Sequence, residues 1–388
     1  MTSPGGLSRP SMQWAILTPE FPPASGGVSD YSSLVAKSLL AAGDTVSVWF
    51  PGSTKQEQRQ GTPWLIPLQK GFRLSGLNLL LRDLDALPPD ARVLLQYAPH
   101  AFGYKGMNIP IVRALSRFNR NPLDVMFHEV AYPRLRGDTV RHQALSIVQF
   151  SMARQIAARA DRIFVSTEAW RPVLAPWARD PASIVWLPVP SNLPKRVRPE
   201  DTAAARLSLG VSNGTILGHF STYAPGITAF LSASVPSLLH ADASRACVLM
   251  GRGARNFRNA MSLANPAISS QLFSFEGSPA LELAGFISAC DVMLQPYPDG
   301  VTGRRTTVMA AIALGVPTVT TNGVLTEDIW KESGGVALSP AHMTTAFAPT
   351  VEELVRNAVI RARLGRAGKR LYEAAFDVSH TARLLRQI

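Results

Sequence analysis

Short runs of valine, isoleucine and leucine alternate along the chain with longer stretches in which apolar residues recur every three or four positions. Runs of the first kind suit strands buried on both faces, and stretches of the second kind suit amphipathic helices. In the first half the candidate strands are Trp14–Leu17, Thr45–Phe50, Arg92–Tyr97, Asp124–Phe127, Arg162–Ser166 and Ile184–Leu187. In the second half they are Thr215–Phe220, Ala246–Met250, Leu272–Phe275, Asp291–Gln295, Pro317–Thr320 and Val336–Leu338. The helical pattern is plain in Tyr31, Leu34, Val35, Leu39 and Ala42, which ends at Gly43, a residue suited to a helix C-terminus. Regular alternation of the two kinds predicts α/β layering with parallel sheets, one doubly wound domain in each half. Between the halves, residues 188–199 read PVPSNLPKRVRP, and proline at that density continues neither helix nor sheet. The expected organisation is a disordered tail over 1–11, an N-terminal domain over 12–190, a linker over 191–200, a C-terminal domain over 201–370, and a helix over 371–388 that packs back toward the N-terminal domain. A length of 388 residues suits two domains at roughly 150 residues or more each.

Composition narrows the class. Apolar residues make up 46% and charged residues 17%, which points away from disordered, collagen-like and coiled-coil chains. Cys247 and Cys290 are the only cysteines, too few for a disulfide framework or a cysteine-built zinc or iron–sulfur site, and a reducing, cytoplasmic setting fits them best. No apolar stretch is long enough to span a bilayer, and the opening residues lack the apolar core of a signal peptide, so a soluble or peripherally attached protein is expected. Net charge is +12, carried almost entirely by arginine. Ten arginines (113, 117, 120, 134, 136, 141, 154, 159, 162 and 171) face five acids between Arg113 and Arg171. This stretch is either a solvated basic surface or a patch for an anionic membrane, which would place the protein at the inner face of the membrane. No basic run is interleaved with aromatic residues, so nucleic acid is not expected.

In open parallel sheets ligands sit beyond the carboxyl ends of the strands, so the loops after strands hold the candidate chemistry. After the first strand, Gly26 and Gly27 precede the helix opening at Tyr31. They can bring backbone amides close to a phosphate or sugar, or simply form a turn with Ser29 or Asp30 as helix cap. His128 and Glu129 follow the strand Asp124–Phe127, where histidine can bond a sugar hydroxyl, titrate near neutral pH, or be satisfied by backbone. After Asp291–Gln295 come Asp299, Gly303, Arg304, Arg305, Thr306 and Thr307, then a short helix, Val308–Leu314. Two guanidiniums, two hydroxyls and the amides of a helix N-terminus make this the strongest candidate for binding an anion. The plainer alternative is that Thr306 caps the helix and the arginines are solvated. Gly251-Arg252-Gly253 lacks the third glycine of a dinucleotide loop and reads as a strand-end turn. Asp83-Leu84-Asp85 reads as helix surface, and no metal ligand set is found.

Taken in order, the segments from Ala15 to Trp49, Val125 to Gly137, Asp161 to Trp170, Leu283 to Gly300 and Met309 to Gly323 resemble glycosyltransferase family 4. The resemblance touches nearly the whole chain from Met12 on. It implies the GT-B fold, two doubly wound Rossmann-like domains facing each other across a cleft. It also implies a retaining transferase that moves a sugar from a nucleotide diphosphate donor to an acceptor hydroxyl without an essential metal or other cofactor. The acceptor, a saccharide, a lipid-linked species or a small molecule, is expected on the N-terminal domain and the nucleotide on the C-terminal one. His128 is implied at the donor sugar, with Glu129 a weaker candidate. Gly26, Gly27, Gly303, Arg304, Arg305, Thr306, Thr307, His219 and Ser221 are implied at the donor, and His128, Asp299 and Arg305 in catalysis.

The sequence departs from the family pattern at two places. Thr302 and Ala310 stand where a pair of glutamates is usual, and His219 and Pro225 replace an arginine and a lysine that grip the diphosphate. Arg304 and Arg305 can supply that charge from another loop, and Asp299 can accept sugar hydroxyls in place of a lost glutamate. The alternatives are a GT-B protein that binds nucleotide or carbohydrate without turnover, and a phosphorylase or epimerase on the same fold.

Overall fold

In a computed structural model, residues 10–24, 26–53, 61–133, 139–211 and 214–387 are described. Most of the expected N-terminal tail, Ser25 of the glycine loop, and Arg134, Arg136 and Asp138 of the arginine-rich stretch lie outside the described residues. The chain divides into two compact units: unit 1 comprises Met1–Pro188 with Val378–Ile388, and unit 2 comprises Val189–Asp377. Residues 191–200, read from the sequence as a linker, group with unit 2.

The strands of unit 1 are β1 (Gln13–Leu17), β2 (Thr45–Pro51), β3 (Trp64–Leu68), β4 (Arg92–Tyr97), β5 (Leu123–Phe127), β6 (Arg162–Val165) and β7 (Ile184–Trp186). Its helices are α1 (Gly27–Ala41), α2 (Leu74–Asp85), α3 (Ile109–Arg117), α4 (Val140–Arg159) and the single turn α5 (Arg171–Leu174). The strands form one sheet in the order β3-β2-β1-β4-β5-β6-β7, parallel at every pairing. Every residue of β4 and β5 is buried, as expected for central strands covered on both faces. β3 has no counterpart among the strands expected from the sequence. It holds the edge, where Pro67 costs no ladder bond and Trp64 stays exposed.

Unit 2 carries β8 (Ile216–Phe220), β9 (Ala246–Met250), β10 (Leu272–Phe275), β11 (Val292–Gln295), β12 (Thr318–Asn322) and β13 (Ala337–Pro340). Its helices are α6 (Pro199–Ser208), α7 (Pro225–His240), α8 (Ala254–Ala264), α9 (Ala280–Ala289), α10 (Thr306–Ala313), α11 (Asp328–Glu332), α12 (Phe347–Arg356) and α13 (Ala358–Leu371). The sheet order is β10-β9-β8-β11-β12-β13, again parallel. Winding reverses between β1 and β4 in the first sheet and between β8 and β11 in the second, and the loops beyond these strand ends are where an open α/β sheet receives a ligand.

The last helix, α14 (Val378–Leu385), belongs to unit 1 and packs on α1, where the Ser38 hydroxyl donates to the Val378 carbonyl at 3.4 Å. Its C-terminal carbonyls need partners, and Arg162 supplies them, donating to Leu385 O at 2.8 Å and Gln387 O at 2.5 Å. Arg162 also forks onto the buried carboxylate of Asp124 at 2.9 and 2.6 Å, and Arg92 takes the same carboxylate at 2.8 and 2.6 Å. Beside this triad Arg386 meets Asp44 at 3.1 Å, and Asp44 also accepts from Met12 N and Trp14 Nε1. The Asp124 triad thus ties β4, β5, β6 and α14 together, and Asp44 ties β1 to Arg386 just beyond α14.

Candidate functional site

At the switch point of unit 1 the loop after β1 is held by its own side chains. Thr18 Oγ1 donates to Glu20 O at 2.8 Å and meets Ser32 Oγ at 2.9 Å, while Ser29 Oγ donates to Ala24 O at 2.6 Å. Glu20 turns its carboxylate onto the N-terminus of α1 and accepts from Ser29 N at 3.3 Å. A Cβ at position 26 would run into that carboxylate, whereas one at position 27 would meet open space. Gly26 therefore admits Glu20, and one of the helix amides that the sequence offers to an anion already serves an internal carboxylate. Neither Ser29 nor Asp30 caps the helix; Gly26 stands at that position without a side-chain bond.

His128 lies directly after β5, buried, with Nε2 at 2.8 Å from Gln96 Oε1 of β4 and its ring edge-on to Tyr31 at 4.9 Å. Burial lowers its pKa to about 4, so at neutral pH the ring is an uncharged hydrogen-bonding group rather than the near-neutral titrating one that its residue type suggests. The next residue, Glu129, reaches back to His100 in the turn Pro99–Phe102 after β4, with Oε2 at 2.9 Å from Nδ1, and that bond raises the His100 pKa. His100 was invisible as a site residue because its partner lies one strand away.

In unit 2 the loop after β11 gathers the charged groups. Arg305 Nη2 meets Asp299 Oδ1 at 2.5 Å, and Arg304 Nη2 stands 3.4 Å from Oδ2 of the same carboxylate. The Arg305 guanidinium lies over the Tyr297 ring at 4.6 Å, and its Nε is buried without a partner among the described residues. Tyr297 is buried, which pushes its pKa up to about 12, and its hydroxyl meets Thr307 Oγ1 at 2.7 Å and accepts from Val308 N. The two guanidiniums thus share the Asp299 carboxylate at the start of α10.

Two expectations for this loop need correction. Thr306 and Thr307 do not cap α10: the cap position is Arg305, with no side-chain bond, and Thr307 is spent on Tyr297. The Gly303 amide is not open either, since it donates to the buried carboxylate of Glu327 at 3.1 and 3.0 Å, and Glu327 also accepts from Trp330 Nε1 at 3.0 Å. Glu327 escaped the sequence reading because its role depends on a loop 24 residues earlier. Asp299, read as an acceptor of sugar hydroxyls, has both oxygens engaged by arginine. Thr302 and Ala310 are fully buried.

His219 is also fully buried, inside β8, with Nδ1 donating to Leu294 O at 2.6 Å and Nε2 without a partner among the described residues. Protonating Nε2 would bury an unpaired charge, and burial accordingly lowers the pKa to about 4. His219 thus brings no charge to replace the missing arginine. Ser221, just past the strand end, is buried and donates its amide to Met250 O at 3.1 Å. Gly251 and Gly253 turn with positive φ into α8, whose first amides are covered by Glu276, which accepts from Gly253 N at 2.6 Å.

The two buried histidines make the fold less stable in acid. Each is neutral when folded down to about pH 4 and protonates near 6.5 when unfolded, so the unfolded chain binds more protons between these values and stability falls as pH drops through that window. The full shifts correspond to about 3 kcal/mol each. Denaturant unfolding at pH 7 and pH 4.5 is expected to show this loss, and a His219→Asn variant is expected to show a smaller difference between the two pH values.

Residues 214–357, inside unit 2, match the family model described as glycosyl transferases group 1. The stretch holds His219, Ser221, Asp299, Arg304, Arg305 and Glu327. Over both units the chain is similar to the Anabaena protein Alr3699/HepE in complex with UDP and glucose, at TM-score 0.70 and 14% identity, covering 96% of this chain and 98% of that one. It is also similar to sucrose-phosphate synthase from Thermosynechococcus elongatus, at TM-score 0.71 and 16% identity, covering 97% and 98%. The fold is GT-B. A third GT-B likeness is to WaaG, a glycosyltransferase involved in lipopolysaccharide biosynthesis, at TM-score 0.64 and 16% identity over 97% and 100% of the chains. Among curated proteins none matches the sequence. In this GT-B chain the stretch that matches the glycosyl transferase model contains the arginine loop at the switch point of unit 2.

Proposed function

We propose that the protein is a retaining glycosyltransferase that moves a sugar from a nucleotide diphosphate donor to an acceptor hydroxyl, with unit 2 holding the donor and unit 1 the acceptor. The observation that carries this reading is the pair Arg304 and Arg305 at the N-terminus of α10, beyond the end of β11 and within the stretch that matches the glycosyl transferase model. Breaking the bond between the sugar and the diphosphate builds negative charge on the leaving phosphate, and two preorganised guanidiniums over a helix terminus are suited to stabilise it. No metal is needed for that task in this reading. His128, uncharged and held by Gln96, acts as a hydrogen-bonding group toward a sugar hydroxyl. The complexes of HepE with UDP and with UDP-glucose suggest UDP as the first nucleotide to try. The acceptor, saccharide, lipid-linked or small, is left to a panel.

A second reading, nucleotide binding without turnover, is favoured by one observation: the only carboxylate in the arginine loop, Asp299, is paired with both arginines. Thermal shifts with UDP, GDP, ADP and TDP and their sugars separate the outcomes, because a ligand of the folded state raises stability with the logarithm of its concentration over Kd. The expected result is a rise of a few degrees with one diphosphate that vanishes in an Arg304→Ala, Arg305→Ala double variant, together with donor consumption when acceptors are supplied. Binding with no transfer or hydrolysis over a broad acceptor panel would establish the second reading, and no shift with any nucleotide would remove both.

A further inference from the structure

We infer that one face of unit 1, built by the segment leading into α3 together with the outer side of α4, docks on an anionic lipid surface. Residues 99–123 and 139–160 contain seven lysines and arginines and not one aspartate or glutamate. Arg159 is buried and paired with Asp161, and the other six, Lys105, Arg113, Arg117, Arg120, Arg141 and Arg154, are all exposed. The same face carries exposed large apolar side chains: Val140 is 83% exposed and Ile147 56% on α4, and Tyr104, Met107 and Ile109 stand out on the approach to α3. These belong to one surface. α3 packs along α4, and Gln149 of α4 donates to Gly106 O at 3.0 Å, fastening the Tyr104–Ile109 segment to it.

The pattern along α4 shows why this face is not ordinary solvated surface. Positions 140, 144, 147, 151, 154 and 158 are exposed at helical spacing, and they are Val, Ala, Ile, Ser, Arg and Ala, flanked by Arg141 and Gln143. A water-facing helix of a soluble domain usually mixes both signs of charge on that side. This one offers apolar and neutral groups beside cations, and no acid. Apolar side chains that enter the headgroup region, beside arginines that pair with phosphate, match an anionic interface in both hydrophobicity and charge. No helix among the described residues is long and apolar enough to cross a membrane, so attachment is to the surface.

The inference does not depend on the chemistry assigned to unit 2. It is tested by sedimenting the full chain with vesicles of phosphatidylcholine alone or with one third phosphatidylglycerol. Binding to the anionic vesicles is expected to be about a hundredfold tighter and to weaken steeply with salt. An Ile147→Glu, Arg141→Glu variant is expected to lose about tenfold or more, while Leu263→Glu, at a still more exposed leucine of unit 2, leaves binding unchanged. Equal binding to both vesicle types, or an equal loss in the Leu263 variant, overturns the assignment. So does a dimer dispersed by Ile147→Glu in a chain that ignores vesicles, which would make a second copy the occupant.

Discussion

Replacing Arg305 with alanine is expected to lower turnover of the sugar donor by about a hundred- to a thousandfold, the range found when a preorganised donor to a developing anion is removed. Arg305 is singled out over Arg304 by its surroundings. Its guanidinium is stacked on Tyr297, and Tyr297 is itself tied to Thr307 and Val308 at the head of α10, so the group is held in place before any ligand arrives. Arg304 has the longer contact to Asp299 and is expected to lose less. Lysine at 305 keeps the charge but gives up the planar stack and fork, so it restores only part of the activity. Asp299→Asn keeps the shape and removes the internal anion, and is expected to tighten binding of a nucleoside diphosphate severalfold at low salt. Initial rates at saturating and limiting donor, with calorimetry of diphosphate binding, check all four variants. An Arg305→Ala protein with unchanged rates would remove the central claim about this loop.

The second large effect is structural. Asp124 is fully buried and serves both Arg92 and Arg162, so Asp124→Ala leaves two inward-facing guanidiniums without their shared acceptor. Loss of one partner from a buried ionic cluster costs about 3–5 kcal/mol. Unit 1 is expected to unfold at clearly lower urea, with Asp124→Asn intermediate because it keeps the volume and one oxygen. A local readout accompanies the global one. Amide exchange in α14 should accelerate in the alanine variant, since Arg162 holds that helix by Leu385 and Gln387 through the same guanidinium.

Much of the scaffold could be read from sequence, for physical reasons visible in particular segments. β4 and β5 are unbroken apolar runs because helices cover both faces, and such runs announce themselves. β3 does not: WLIPL is short and carries a proline, and only its place at the edge of the sheet makes it a strand. The arginine loop was legible because strand end, glycine, cations and helix start are contiguous. What remained hidden was who occupies whom. Glu20 on the amide of Ser29, Glu276 on Gly253 and Glu327 on Gly303 are contacts between segments separated by 9 to 24 residues, and nothing local in the chain signals them. The same limit explains His219, which a loop reading offers to a ligand and the sheet buries beside Leu294.

The return of α14 to unit 1 has a consequence for the order of events on the ribosome. Arg162 emerges 225 residues before Gln387, one of the two carbonyls it must hold, which at about 5–20 residues per second is roughly 10–45 s of translation. Unit 2 is contiguous and lies wholly within that interval. It can therefore finish folding as an autonomous insert while the face of α1 that α14 will cover, and the donors of Arg162, still wait. A nascent chain of this protein is thus expected to pass through a stage in which unit 2 is native while unit 1 still awaits α14, so the half made first is sealed only after the half made later.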